Sequence, residues 1–326
     1  MKSNSKWKDK LLSSSFPLEY EAMKILVEKG FSVSSEFSYS RLDGDVVKDF
    51  SVDIEALAFA PFSDPNDITG TVRLLVECKY RKDGVAWLFL PDPNDPSFSP
   101  FVMGHTIRAV DCFSKDILSP NSMVPFDDRG NVVFCFKGVE VDTLNPSAHD
   151  AQIKHGVNQL HYALPVMLEK EINNNSFPQS DPAKPFFIVP ILLTNAELYI
   201  ADEEFSMRLV MENDSLDDIA FRAPYVITYN DISPDFESHC TAVFENGIFF
   251  DAEYLSEIGS YRSSEGEYEN CLPLNVIESL ESNRMFEMKR YFTQYIVCSW
   301  DGFPELVEDI KNTISTALKD VGRGGG

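Results

Sequence analysis

Three charged residues stand in segments that are otherwise apolar. Glu77 and Lys79 lie two apart in TVRLLVECKY (71–80), and Asp53 lies in FSVDIEALAFA (50–60). Both segments carry the patterning of β-strands, and side chains two apart on a strand project from the same face. Glu77 and Lys79 are therefore expected side by side. The turn-rich connection at 61–70 is long enough for the two strands to pair, which would bring Asp53 to the same point. Charge buried without a partner is expensive, and Mg²⁺ supplies a reason for it. That ion takes hard oxygen ligands, commonly one or two carboxylates together with water and phosphate. Mn²⁺ is expected to substitute. Asp53 and Glu77 are the candidate metal ligands, and the backbone carbonyl of Cys78, pointing between the two side chains of its strand, is a further one. Lys79 would orient or help deprotonate an attacking water beside the developing phosphate charge. The Cys78 thiol should face the opposite side and do no chemistry. The plain alternative for the trio is a cross-strand ion pair on a solvated sheet face.

The elements that must position these residues can be read along the chain. PLEYEAMKILVEKG (17–30) predicts a helix, with Pro17 in the first turn, Leu18, Ala22, Ile25 and Leu26 as an apolar stripe, and Gly30 as the stop. Residues 31–41 alternate as a strand, and Leu42-Asp43-Gly44-Asp45 predicts a hairpin turn into the strand at 50–60. On that strand Val52, Ile54, Ala56 and Ala58 are expected on one face, with Asp53 and Glu55 on the other. The strand at 71–80 is apolar enough to be interior. Helical spacing follows at 105–118, a strand at 131–141, a long helix at 149–172 containing Pro165, and buried strands at 186–193 and 196–201. Strand-like segments (PYVITYN, AVFENGIFF, YFTQYIVCSW) then alternate with acidic loops before a closing helix at 304–320. The order points to mixed α/β with helices packed on a sheet.

The helix PLEYEAMKILVEKGF, the strand VDIEA and the strand VECKY resemble the ordered signature of the PD-(D/E)XK nuclease superfamily, which includes many restriction endonucleases and Holliday-junction resolvases. The ordered set is far more specific than an isolated ExK. The resemblance covers residues 17–80 and, more weakly, 130–200. It implies a restriction endonuclease-like mixed β-sheet flanked by helices, with a nuclease core at 1–200 and an acidic α+β C-terminal extension at 201–326 packed on or continuing it. It also implies Mg²⁺-dependent phosphodiester hydrolysis, with DNA as the first expected substrate and RNA as the alternative, in a restriction or phage-defence setting. Asp53 and Glu77 take the ligand positions and Lys79 that of the catalytic lysine. The residue before Asp53 is Val52 where the family pattern has proline, which is not a ligand. The family's first helix often supplies a glutamate. Glu19, bordering the apolar stripe, is the favoured candidate and Glu21, on the polar side, the other. On the long helix Gln159-x-x-Tyr162 does not match the QxxxY pattern of some branches, so no role is carried to Gln159.

Composition limits the other readings. The net charge is −24, from 52 acidic and 28 basic residues. Positions 201–326 hold 25 Asp and Glu against 9 Lys and Arg. Such acidity opposes unaided nucleic-acid binding, which draws on neutralised phosphates. Arg73, Lys79, Arg81 and Lys82 reverse the balance locally. The acidic C-terminal region is a solvated face by default, or a docking face for a basic partner or activator. A chain keeping this fold as a non-catalytic interaction subunit is the competing class. Glu55 reads as a structural carboxylate, and His149, His155 and His161, six apart, do not share a helical face and form no metal cluster. No nucleotide-binding glycine loop and no GxSxG elbow occurs. Six scattered cysteines without a CxxC pair predict reduced thiols and a cytoplasmic setting. Neither an apolar run of 18 residues nor a secretory leader is evident, so no membrane partner is expected. A homodimer would suit the cutting of both duplex strands.

Overall fold

The computed structural model describes residues 6–44, 46–62, 68–110, 132–145, 147–176, 185–245 and 284–321. They form a large mixed sheet with helices on both faces. Two helices open the chain, α1 (Lys6–Ser13) and α2 (Phe16–Glu28). The strands β1 (Ser32–Ser34), β2 (Phe37–Asp43), β3 (Val46–Val52), β4 (Ile54–Ala60), β5 (Gly70–Lys79), β6 (Val85–Pro91), β7 (Arg108–Val110), β8 (Phe134–Asp142) and β9 (Ser147–His149) precede the long helix α3 (Ala151–Ser176). Then come β10 (Phe186–Thr194), β11 (Glu197–Ala201), α4 (Met207–Glu212), β12 (Ala220–Arg222), β13 (Tyr225–Tyr229), α5 (Pro234–Glu245), α6 (Arg284–Phe292), β14 (Gln294–Ser299) and α7 (Phe303–Val321).

The sheet runs β1-β4-β5-β10-β14-β13-β8-β6-β11-β12, with β7 on β10 and β9 on β8. β5 lies between β4, antiparallel, and β10, parallel. Every residue of β10 is buried, as expected for a parallel strand covered on both sides. Its Pro190 falls between the register with β7, which ends at Ile188, and that with β14, which begins at Ile191. A missing N–H is tolerated at such a break. The C-terminal strands β13 and β14 sit inside the sheet between β10 and β8, so residues 201–326 contribute to the same core as the first 200. One core, around Leu75, Leu160, Ala163 and Leu192, lies under α3, α5 and α6. A second, around Leu18, Ala22, Ile54, Val76, Leu306 and Ile310, lies under α2 and α7, and a smaller third gathers Ala86, Leu88, Tyr199 and Ala220.

The expected α2 stripe is present: Leu18, Ala22 and Leu26 are buried, and Gly30 takes φ +91° just beyond the helix. The β2–β3 hairpin turns at Gly44 (φ +65°) in the register Asp43↔Val46. Four expectations fail. The segment 31–41 is not one strand: β1 pairs with β4 in the main sheet, while β2 pairs only with β3. The segment 50–60 is not one strand, because the chain bends at Asp53. β3 pairs only with β2, while β4 enters the main sheet, so Val52 joins the α3-side core and Ile54 the opposite one. Helical spacing at 105–118 yields instead the strand β7 on the edge of β10, with 111–118 outside the described residues. The first part of AVFENGIFF closes α5 rather than starting a strand, and its remainder lies outside the described residues. Among the described residues no helix is long and apolar enough to cross a membrane.

Candidate active site

The β4–β5 register pairs Ile54 with Val76. One step further along this antiparallel ladder, Asp53 stands opposite Glu77. Because the chain bends at Asp53, its carboxylate takes the place of a strand partner: Oδ2 accepts the Cys78 N–H at 2.7 Å. In a strand the N–H and C=O of one residue leave on the same side. The Cys78 carbonyl therefore leaves β5 on the Asp53 edge, beyond the end of β4, while the next carbonyl, that of Lys79, turns to β10 and accepts Thr194 Oγ1 at 2.8 Å. The Cys78 side chain is buried in the α2-side core, and desolvation lifts its thiol well above its ordinary range.

Glu77 and Lys79 share the α3-facing side, as their spacing predicted. The Lys79 ammonium is ion-paired with Glu77 Oε1 and donates to Gln159 Oε1 at 2.9 Å. Gln159 in turn donates through Nε2 to the Ser51 carbonyl at 3.1 Å, and its own carbonyl accepts the Tyr39 hydroxyl at 3.1 Å. One α3 side chain thus ties the lysine to the strand that leads into Asp53. No role for Gln159 was legible from its local spacing, which matches no family pattern. Its importance depends on how closely α3 crosses the sheet. Gly156 sets that approach, since a Cβ there would sit 2.5 Å from Leu192 Cδ1.

Glu77 is 1% exposed, and its Oε2 has no hydrogen-bond partner. Burial first, and the Asp53 charge second, push its carboxyl up to about 8 against the pull of Lys79. Asp53 is also raised, by burial, although the Cys78 N–H and Lys79 oppose this. Glu19 is half-buried on α2 and raised to about 7 by burial and by Asp53, with Lys79 acting the other way. It lies within electrostatic reach of both, whereas Glu21 is exposed on the far side of the helix. The structure thus brings Glu19, Asp53, Glu77 and Lys79 to one place. Three carboxyls share one ammonium, and each holds its proton more tightly than usual.

The flanking cations are committed elsewhere. Arg73 bridges Glu55 and Glu171 at 3.0 Å each, and Lys170 joins Glu55 at 3.0 Å, which makes Glu55 a structural carboxylate. Arg81 binds the buried Glu140 at 2.6 Å, which also accepts Trp87 Nε1, and Lys82 binds Asp142 at 2.6 Å. The basic stretch counted in the sequence is therefore neutralised within the fold. The histidines are dispersed: His149 lies 3.4 Å from Glu140, His155 is exposed on α3, and His161 is buried on the ring of Phe236 and driven down to about 3 by desolvation. Among the described residues no group of three or more His, Cys, Asp and Glu side chains is gathered closely enough to hold a metal ion alone. No family model, curated protein or solved structure matches the chain.

Proposed function

We propose that the chain is a Mg²⁺-dependent nuclease of restriction endonuclease-like fold, with DNA as its first expected substrate. The observation that carries the reading is Glu77: a buried carboxylate raised to about 8, with one oxygen unpartnered, beside a second raised carboxylate and a held lysine. That is an excess of negative charge which a divalent cation would relieve. Asp53, Glu77 and the Cys78 carbonyl would hold the ion, and water and substrate phosphate would complete its shell. Two carboxylates suffice for Mg²⁺, so the lack of a denser ligand cluster is compatible with this set. When bound, the ion supplies Lewis-acid stabilisation of charge on the phosphate.

The chain's own groups do the rest. Lys79, fixed by Glu77 and Gln159, orients the attacking water and offers its ammonium to the developing negative charge. Glu19, with a carboxyl near 7, can take or return a proton close to neutral pH. Purified protein with Mg²⁺ or Mn²⁺ is expected to nick or degrade plasmid DNA, and Lys79→Ala to abolish this. Robust cleavage by that variant would sink the site assignment. Parallel digestion of single- and double-stranded DNA and RNA identifies the substrate.

The pairing of Arg73, Arg81 and Lys82 with internal carboxylates favours a second reading, a nuclease-fold interaction subunit working through its acidic surface in the cytoplasm. It predicts no heat of Mg²⁺ or Mn²⁺ binding and full function in Asp53→Asn. A role in phage defence belongs to the family resemblance alone, while a basic protein activator rests on the acidity of residues 201–326 and a homodimer on the cutting of both duplex strands.

A further inference from the structure

If the cations along β5 are neutralised, substrate affinity must come from elsewhere on the surface. The opening helices offer such a place. α1, KWKDKLLS, buries none of its residues. Trp7 is 56% exposed, and Phe16 and Tyr20, one turn apart on α2, are 67% and 63% exposed. Lysines are interleaved with these rings. Lys8 Nζ lies 5.8 Å from the Trp7 ring centre and Lys24 Nζ 5.0 Å from that of Tyr20. Lys6, Lys8, Lys10 and Lys24 form no ion pair among the described residues, on a chain whose net charge is −24. Among the described residues nothing accounts for three large rings held in water beside these ammonium groups.

The patch is joined to the candidate active site. Ser15, between α1 and α2, adopts φ +61° and accepts the N–H of Tyr80, the residue after Lys79, at 3.1 Å. Glu19, one residue before Tyr20, lies within reach of Asp53 and Lys79. Asp9 on α1 is near enough to Tyr80 to help raise its hydroxyl. A strand whose phosphate met Lys79 would therefore run close to α1 and α2.

We infer that the exposed rings of Trp7, Phe16 and Tyr20, with Lys6, Lys8, Lys10 and Lys24, form a stacking platform for the bases of single-stranded nucleic acid entering the active site. Aromatic faces interleaved with cations suit unpaired bases, because a duplex hides the base faces that such rings contact. Electrostatics is limited to a few lysines, which suits an acidic chain. The inference rests on the nuclease reading for its purpose, while binding itself is measured apart from cleavage.

The test is fluorescence anisotropy of the full chain in EDTA, with labelled dT and U oligonucleotides and a duplex of the same length. Single strands of either sugar are expected to bind more tightly than the duplex. Trp7→Ala, Phe16→Ala and Tyr20→Ala should each weaken single-strand binding roughly fivefold or more. Neutralising about four phosphates gives a log–log salt slope of about −3. Circular dichroism verifies the fold of each variant, which the exposure of these rings favours. Under Mg²⁺ the losses should appear in KM rather than kcat. Wild-type affinity in the triple alanine variant, or tighter binding of the duplex, overturns the platform while leaving the nuclease reading intact. Binding that depends on the rings, without cleavage under any metal, supports the platform and defeats the nuclease reading. A blue shift of tryptophan fluorescence on anionic phosphatidylglycerol vesicles, lost in Trp7→Ala, with no oligonucleotide binding, overturns the platform in favour of a lipid surface.

Discussion

Glu77→Gln should stabilise the metal-free protein at pH 8 and change it little at pH 5. The Glu77 carboxyl moves from 4.5 in an unfolded chain to about 8 in the fold. Between those values the folded state binds more protons than the unfolded one, so its stability falls as pH rises. The contribution is fully present below pH 4.5 and is lost by the time pH passes 8. Integrated from pH 5 to pH 8, a shift of this size amounts to about 3–4 kcal/mol. Glutamine is near-isosteric with protonated glutamate and keeps an acceptor for Lys79, so at pH 5 variant and wild type should melt together. At pH 8 the variant escapes the ionisation cost, and a few kcal/mol in a chain of this size raises Tm by about 5 °C. The assay is thermal melting in EDTA at half-unit pH steps, with the difference between the proteins plotted against pH. A difference that is constant, or that shrinks as pH rises, would refute the claim that burial and Asp53 hold this carboxyl up.

On the proposed reading, the same groups would set how a divalent ion binds. Since Glu77 must give up its proton, calorimetry in two buffers of unlike ionisation heat should show about one proton released per Mg²⁺ or Mn²⁺ at pH 7, with affinity falling about tenfold per pH unit below 8. Pairs of titrations that agree in both buffers would exclude Glu77 as a ligand. Gln159→Leu removes one of two acceptors from Lys79 and the donor to Ser51, and is expected to lower kcat roughly ten- to a hundredfold in single-turnover cleavage with folding retained. Arg73→Ala strips counter-charge from the buried Glu171 and from Glu55, and should cost about 3 kcal/mol in urea unfolding while leaving metal binding in place.

Much of the site was legible because its logic is local. Two residues apart on a strand means one face, and a turn signal before a second apolar segment means an adjacent strand. These rules alone bring Asp53 beside Glu77. What escaped is non-local. The bend at Asp53 leaves no trace in the alternation, because β3 and β4 keep the same period while changing partners, and only the pairing of β3 with β2 shows that Val52 and Ile54 serve opposite cores. The place of β14 between β10 and β13 depends on contacts more than a hundred residues away from β10 in the chain. The role of Gln159 depends on Gly156 meeting Leu192. Counting Arg73, Arg81 and Lys82 as a basic patch failed for the same reason: composition records charges but not the carboxylates that fold against them.

That neutralisation bears on how the acidic chain and the site fit together. Glu140, Asp142, Glu55 and Glu171 hold the arginines and lysines that could otherwise grip a phosphate backbone, so the fold spends its local cations on its own rigidity. Lys79 is also engaged with its own strand and with α3. On the proposed reading, long-range attraction of a polyanion would be weak, and specificity would fall to short-range features: ring faces that take unpaired bases, and a carboxylate pair that takes a divalent ion. A duplex hides its base faces and carries about twice the phosphate charge per length of one strand, which an acidic chain repels. On this physics, raising ionic strength should harm single-strand binding less than it harms a typical basic nuclease, because fewer released counterions contribute to the affinity.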